Sequence, residues 1–310
     1  MLYWYVVCVP KSYWWFQRRK NWVKFSETVL WGSRVEDFNG RVAVVTGAAS
    51  GIGLGMCRAF AKRGMKVVVA DLNQDTINAA VSELQASGAD AIGHLCDVSD
   101  HDAVKALADA AVSAFGGVNV FCANAGVGIP TSARKMKMAD WKWIIDVDLW
   151  GPIYGVDVFL PLIEEAGEGH INATSSMAGL ISSQMMGAYN VAKHGVVALM
   201  AATERELRAK KSPITASVLC PGPINTNISR NSVSYRPGQA KPKADGEKSG
   251  KLASNIQATL EQGMAPDEVG ELVADAIATD KFWILTHPYW AKAIQKQLDA
   301  LREDQTLTKA

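Results

Sequence analysis

From about residue 42 onward, short apolar runs alternate with longer stretches of helical periodicity. Val42–Val45, Lys66–Ala70, Ala91–Leu95, Val118–Cys122, His170–Thr174, Ile214–Leu219 and Phe282–Thr286 read as strands. The β-branched run at Val42–Val45 has no polar alternation, which is the pattern of a parallel strand buried on both faces. Helices are predicted between the strands: Leu54–Arg63 closed by Gly64, Thr76–Ser87, His101–Phe115, Met138–Glu164, Ala188–Lys210, Pro266–Ala278 and Ala291–Arg302. In Thr76–Ser87 the apolar positions Ile77, Ala80, Val81 and Leu84 fall on one helical stripe. Strands alternating with helices predict an α/β fold.

The composition adds limits. The 310 residues are 48% hydrophobic and 20% charged with a net charge of +1. That is enough material for one large core, and it gives no electrostatic reason to expect nucleic acid. Cys8, Cys57, Cys96, Cys122 and Cys220 are scattered, with no CxxC and no Cys/His cluster. This argues against structural zinc and against a disulfide framework, and it suits a reducing, cytoplasmic setting. No apolar run reaches the roughly 18 residues a membrane span needs.

The first 37 residues stand apart as an aromatic and basic extension. They hold Trp4, Trp14, Trp15, Trp22 and Trp31, half of the chain's 10 tryptophans. Lys11, Arg18, Arg19, Lys20 and Lys24 precede the first acid. A secretory signal would put its charge before the apolar core, and here the order is reversed. Three readings stand: an interfacial segment touching a membrane surface through residues 1–31, an arm packed on the main domain or a second subunit, and a non-native extension or a start site set too early.

RVAVVTGAASGIG couples a strand to a helix through Gly47, Gly51 and Gly53. Glycines there allow a tight turn and close approach to a pyrophosphate, while the helix N-terminus offers free N–H groups. The second strand ends at Asp71, eighteen residues past Gly53. An acid there can accept both ribose hydroxyls of NAD and repels a 2′-phosphate, so NAD is expected over NADP. The alternative role for Asp71 is an N-cap of the next helix.

The candidate chemistry lies in SMAGLISSQMMGAYNVAK, residues 176–193. Tyr189 and Lys193 stand four apart, so a helix sets them on one face. A neighbouring ammonium favours the phenolate, and a phenol so tuned can pass a proton to or from an alcohol oxygen. Ser176 at a strand end has a hydroxyl able to hold the same oxygen. His194 points about 100° away round the helix and is read as structural.

Taken together, TGAASGIG, Asp97–Val98, ANAG at 123–126, Ser176, YNVAK at 189–193 and PGPINT at 221–226 resemble the short-chain dehydrogenase/reductase family, in that family's order. The resemblance implies a single doubly wound Rossmann domain over residues 38–290. It would have seven parallel strands ordered 3-2-1-4-5-6-7, helices on both faces, and a terminal helix and tail over 291–310. It implies Tyr189 as acid/base, Lys193 as its tuner and ribose ligand, and Ser176 as the substrate-orienting hydroxyl. It implies cofactor contacts from Gly47, Ser50, Gly51, Ile52, Gly53 and Asp71. Asp97 and Val98 would meet the adenine, Asn124 would steady the sheet, and Ala125 and Gly126 would pass the ribose. Pro221 and Gly222 would turn the chain, with Ile224 and Thr226 at the carboxamide.

One departure is plain. The family usually has Asn where this chain has Asp148, at a helix kink that links the catalytic Lys to solvent through a water. An acid there could instead pair with Lys193 and shift both groups. Gly151 and Pro152 are expected to bend this long helix. The implied reaction is reversible hydride transfer between NAD and a secondary alcohol or ketone, with no metal and a homodimer or homotetramer as the assembly. The alternatives are an NADPH-linked ketoreductase and a nucleotide-binding scaffold without turnover. Residues 227–262, polar and carrying an excess of Lys and Arg, are the expected lid, and that charge raises the question of an acidic substrate.

Overall fold

The computed structural model describes residues 37–236, 257–303 and 305, and the backbone of residues 6–7, 15–18 and 21–24. The chain divides into two units, residues 1–32 and 33–310. In the first, β1 (Val6–Val7), β2 (Trp15–Arg18) and β3 (Asn21–Lys24) form an antiparallel sheet with β2 in the centre. The side chains on which the three readings of residues 1–37 depend lie outside the described residues. So do residues 237–256, most of the expected lid.

The second unit runs β4 (Val42–Thr46), α1 (Gly51–Lys62), β5 (Lys66–Asp71), α2 (Gln74–Ala86), β6 (Ala91–Leu95), α3 (His101–Phe115) and β7 (Val120–Ala123). It continues with α4 (Met138–Ile145), a π-helical turn (Asp146–Trp150), α5 (Gly151–Glu165), β8 (Gly169–Thr174), α6 (Gly187–Ala209) and β9 (Ile214–Cys220). It closes with α7 (Ile228–Ser234), α8 (Pro266–Ala278), β10 (Trp283–Leu285), a 3₁₀ turn (Pro288–Trp290) and α9 (Ala291–Glu303). The seven strands β4–β10 form one parallel sheet in the order β6-β5-β4-β7-β8-β9-β10. This is the doubly wound topology expected.

The strands carry two cores because successive side chains leave opposite faces of a strand. Val44 of β4, level with Val68 and Phe121, packs with α3, α5 and α6, while Ala43 and Val45 pack with α1, α2 and α8. All five residues of β4 and all four of β7 are buried. That is why these strands read as unbroken apolar runs rather than alternating ones.

Two helices differ from the sequence reading. Helix α1 starts at Gly51, not Leu54, because the glycine turn itself forms the first helical turn. The predicted single helix over Met138–Glu164 is interrupted by the π turn at Asp146–Trp150. Gly151 is helical (φ −54°, ψ −53°) and does not make the irregularity; it lets α5 approach Val98, where an added Cβ would lie 3.0 Å from Cγ2. The physical cause sits one residue on. Pro152 has no N–H for the carbonyl of Asp148, so the ordinary ladder cannot form there. Such one-turn expansions re-aim a side chain, and this one turns Asp148 into the interior.

Candidate active site

The chain leaves β4 into the glycine turn at the C-terminal edge of the sheet, where strand order reverses between β4 and β7. This is the place at which open parallel sheets bind ligands. Gly47 has φ +60° and Gly51 φ +54°, conformations that side chains rarely adopt. A Cβ on Gly47 would lie 2.8 Å from the Cα of Ala125. Ser50 precedes α1 but makes no side-chain cap bond, so the protein leaves the first N–H groups of that helix open to an anion.

A cleft of about 560 Å³ opens over this turn. Gly47, Ser50, Gly51, Ile52, Asp71, Asp97, Val98, Asn124, Ala125, Gly126, Tyr189, Lys193, Pro221 and Thr226 all line it. Asp71 is not a helix cap: Asn73 takes that role, its Oδ1 accepting from the Thr76 N–H at 3.1 Å. The Asp71 carboxylate is oriented by the N–H groups of Ala49 (3.0 Å) and Leu72 (2.7 Å) at the cleft rim. Asp97 accepts from the backbone and hydroxyl of Ser99 at 2.9 and 2.7 Å, while Asp100 caps α3 through the Asp102 N–H. Asn124 joins three strands: its amide donates to Thr46 and Gly47 carbonyls, and its Oδ1 accepts from Thr174.

Gly53, Ile224 and Gly222 of these motifs do not line the cleft. Gly53 allows close packing, since a Cβ there would lie 2.3 Å from the Gly47 carbonyl. Ile224 is buried and lines neither cavity, its backbone bridging to Met264. Gly222 faces a second cavity, not the first.

The Ser176, Tyr189 and Lys193 set assembles where the two cavities meet. Tyr189 lines both; Lys193 lines the first and Ser176 the second. Strand β8 and helix α6 bring them together, and Ser175, pointing the other way, ties the two by donating to the Lys193 carbonyl at 2.8 Å. The Lys193 ammonium is buried, donates to the Thr174 carbonyl at 3.1 Å and stands 5.5 Å from the Tyr189 ring centre. Its counter-ion is Asp148, fully buried, with Oδ2 3.2 Å from Nζ. The other carboxylate oxygen accepts from the Val127 N–H at 2.7 Å. His194 bonds back to the Asn190 carbonyl at 2.8 Å on its own helix.

Electrostatics here correct one expectation. Lys193 alone was expected to bring the Tyr189 phenol below its ordinary value. Burial pushes that phenol up; Lys193 and the Ser176 hydroxyl pull it down, but the Asp148 carboxylate pushes it up again, and the balance is upward. Burial likewise raises Asp148 against the pull of Lys193 and the Val127 N–H. For Lys193 burial acts downward, yet Asp148 and then Tyr189 outweigh it, so the ammonium is held firmly.

Sequence reasoning missed several lining residues. Ala139, Lys142, Trp143 and Asp146 reach the first cavity from α4 and the π turn. Met186, Leu260 and Trp290 wall the second. No short motif marks them, because they are brought in by chain crossings. Among the described residues there is no group of His, Cys, Asp and Glu able to hold a metal, and no helix is long and apolar enough to cross a membrane.

Fold and site together define a nucleotide-binding α/β enzyme. The sequence profile of the family described as short chain dehydrogenase matches residues 41–236. The chain belongs to the short-chain dehydrogenase/reductase family and is an oxidoreductase acting on CH–OH groups. It is similar to a short-chain dehydrogenase/reductase from Burkholderia phymatum solved in complex with NAD: TM-score 0.84, 34% identity, 88% of this chain and 98% of that one. It is 31% identical to the C alpha-dehydrogenase of a Sphingobium species, over 86% of this chain and 87% of the relative. It is 36% identical to the cyclohexanol dehydrogenase of an Acinetobacter species, over 62% of this chain and 76% of the relative.

Proposed function

We propose that the protein interconverts a secondary alcohol and its ketone with NAD as the hydride carrier, using Ser176, Tyr189 and Lys193. The observation that carries this is the position of Tyr189. It is shared by a cleft suited to a dinucleotide and a second, smaller cavity, with Lys193 on one side and Ser176 on the other.

The residues present fit NAD. Gly47 and Gly51 form a cradle that a Cβ would crowd, the N-terminus of α1 is free for the pyrophosphate, and the Asp71 carboxylate sits at the rim for the ribose hydroxyls. The same carboxylate would repel a 2′-phosphate, which supports NAD over NADP. When bound, NAD supplies the hydride acceptor of oxidation and, reduced, the donor of reduction. Tyr189 holds the mobile proton on its phenolic oxygen. Its raised pKa keeps it protonated in the resting state, ready to donate to a ketone oxygen; it serves as base as pH rises. Ser176 orients the substrate oxygen and stabilises its developing charge. Lys193, fixed by Asp148 and Thr174, favours the phenolate and can reach ribose hydroxyls from the cleft wall.

The test is NADH absorbance across a panel of secondary alcohols. Tyr189→Phe should lose about 10²–10⁴-fold in kcat while NAD binding persists. A variant within a few-fold of wild type would remove the assignment. NADPH binding more tightly than NADH would overturn the Asp71 argument.

A further inference from the structure

The second cavity, about 250 Å³, adjoins the cofactor cleft at Tyr189, Pro221 and Ile228. Its walls are dominated by Pro130, Met177, Met186, Pro223, Leu260 and Trp290. The polar side-chain groups among its lining residues are all neutral: the hydroxyls of Ser176, Ser183, Ser229 and Tyr189 and the indole N–H of Trp290. Among the described residues no charged side chain lines it. The first cavity is the opposite, carrying Asp71, Asp97, Lys142, Asp146 and Lys193. Charge is therefore segregated to the cofactor side.

The two described cations in the segment that follows the cofactor motif, Arg230 and Arg236, are engaged elsewhere. Arg236 forks onto the buried Asp140 at 2.6 and 2.5 Å, fastening the end of α7 to α4. Arg230 pairs with Glu261 at 2.8 Å. Ser232 accepts from the Gly128 N–H at 2.8 Å, closing the same segment onto the loop after β7. The described part of the basic lid thus clamps the wall and offers no free cation to an acidic substrate.

We infer that this cavity takes the body of a small, uncharged, apolar secondary alcohol or the matching ketone, a single ring or a short branched chain. This rests on the proposed role of Tyr189 and specifies the substrate class for it. A cavity of 250 Å³ equals the liquid volume of about eight waters and lies below the range of drug-sized sites. A carboxylate entering it would shed its hydration with only neutral side-chain donors and no counter-charge in return, whereas hydrocarbon is welcome on Met, Leu, Pro and Trp walls. In the reaction the carbinol C–H breaks and its electron pair leaves as hydride to bound NAD. The O–H proton passes to the Tyr189 phenolate, the form that acts as base, and from there to solvent as the C=O bond forms, giving ketone, NADH and one released proton.

The experiment compares a methyl-substituted cyclohexanol with the same ring bearing a carboxylate or an ammonium in place of the methyl. NADH formation should favour the methyl compound by at least about 100-fold in kcat/KM. The corresponding ketones, followed by thermal shift with NADH bound, should rank the same way. Met186→Lys, checked by circular dichroism and by its thermal shift with NAD, should narrow the methyl-to-carboxylate gap about tenfold. Charged and neutral rings used or bound within threefold of each other would overturn the inference and leave the dehydrogenase reading standing. No turnover of any ring, with NAD still bound, would overturn the dehydrogenase reading; ketone binding then decides the cavity's preference alone. Should Met186→Lys not fold, the wild-type comparison is sufficient.

Discussion

Replacing Asp148 by Asn removes one buried negative charge and little else. The two side chains have nearly the same shape, and the Asn oxygen can still accept from Val127. The charge removed lies 3.2 Å from the Lys193 ammonium. At an effective dielectric of about 20 that pair is worth ~5 kcal/mol of Coulomb attraction. In the wild type this attraction holds the proton on Lys193, and the same carboxylate opposes the effect of Lys193 on the Tyr189 phenol. With Asn the Tyr189–Lys193 cluster carries one more positive charge, so its first proton leaves at lower pH. The two groups titrate together, and the shift belongs to the pair. If only about 1.4 kcal/mol of the change is felt there, the deprotonated fraction at the acid end rises tenfold. Alcohol oxidation needs the deprotonated form. Its kcat/KM at the acid end should therefore rise about tenfold in Asp148→Asn, with the acid limb moving to lower pH. The alkaline limb of ketone reduction should move in the same direction. The assay is kcat/KM against pH in both directions for wild type, Asp148→Asn and Asp148→Ala. Ala makes the same charge change but strands the Val127 N–H, so it should share the altered limb and lose about 1–3 kcal/mol more stability. An acid limb that stays in place or moves to higher pH in the Asn variant would refute the reasoning.

Three other outcomes are expected. His170 is buried between the hydroxyls of Thr215 and Ser217, and burial pushes its pKa down to about 3. The unfolded chain then binds a proton below pH ~6.5 that the native state refuses until about pH 3, so stability falls with acidification across that window. His170→Gln should flatten the slope of unfolding free energy there by up to ~1.4 kcal/mol per pH unit, read by urea titration; equal slopes would contradict this. Gly55 and Gly270 touch where α1 crosses α8, and a Cβ on Gly270 would lie 2.1 Å from the Gly55 carbonyl. Gly270→Ala should cost about 1–3 kcal/mol by chemical denaturation, and a neutral result would mean the helices separate freely. Asp71→Ala should raise NADPH affinity relative to NADH by about tenfold or more, measured as a ratio of Kd values, and an unchanged ratio would remove Asp71 from cofactor selection.

Much of the fold could be read without coordinates because its signals are local. Apolar runs such as Val42–Val45 and Val67–Val69 are buried on both faces, which leaves a parallel sheet as their home. Gly47 and Gly51 announce a turn since few other residues tolerate their backbone angles. Tyr189 and Lys193 were paired by helix geometry alone. The structure adds most where one residue answers to a distant one. Gly53 and Ile224 sit inside the right motifs yet serve packing, because only the neighbouring backbone decides which way each faces. The π turn was missed since Pro152 was read as a bend and not as a missing donor for the Asp148 carbonyl.

Residue order settled the alternation of strand and helix, the glycine turn, the acid after the second strand and the Tyr–Lys face, each a matter of a few neighbouring positions. The tertiary fold alone decided how deeply the phenol would be buried and that the π-turn carboxylate would lie 3.2 Å from the ammonium on α6; burial, helped by that carboxylate, outweighs the downward pull of Lys193 on the phenol. It alone turned the lid arginines onto Asp140 and Glu261, and brought Trp290 from near the chain end to the wall beside Tyr189. Periodicity reports which face of an element is buried; it carries no record of what meets that face. Charge and shape at a site depend on that meeting.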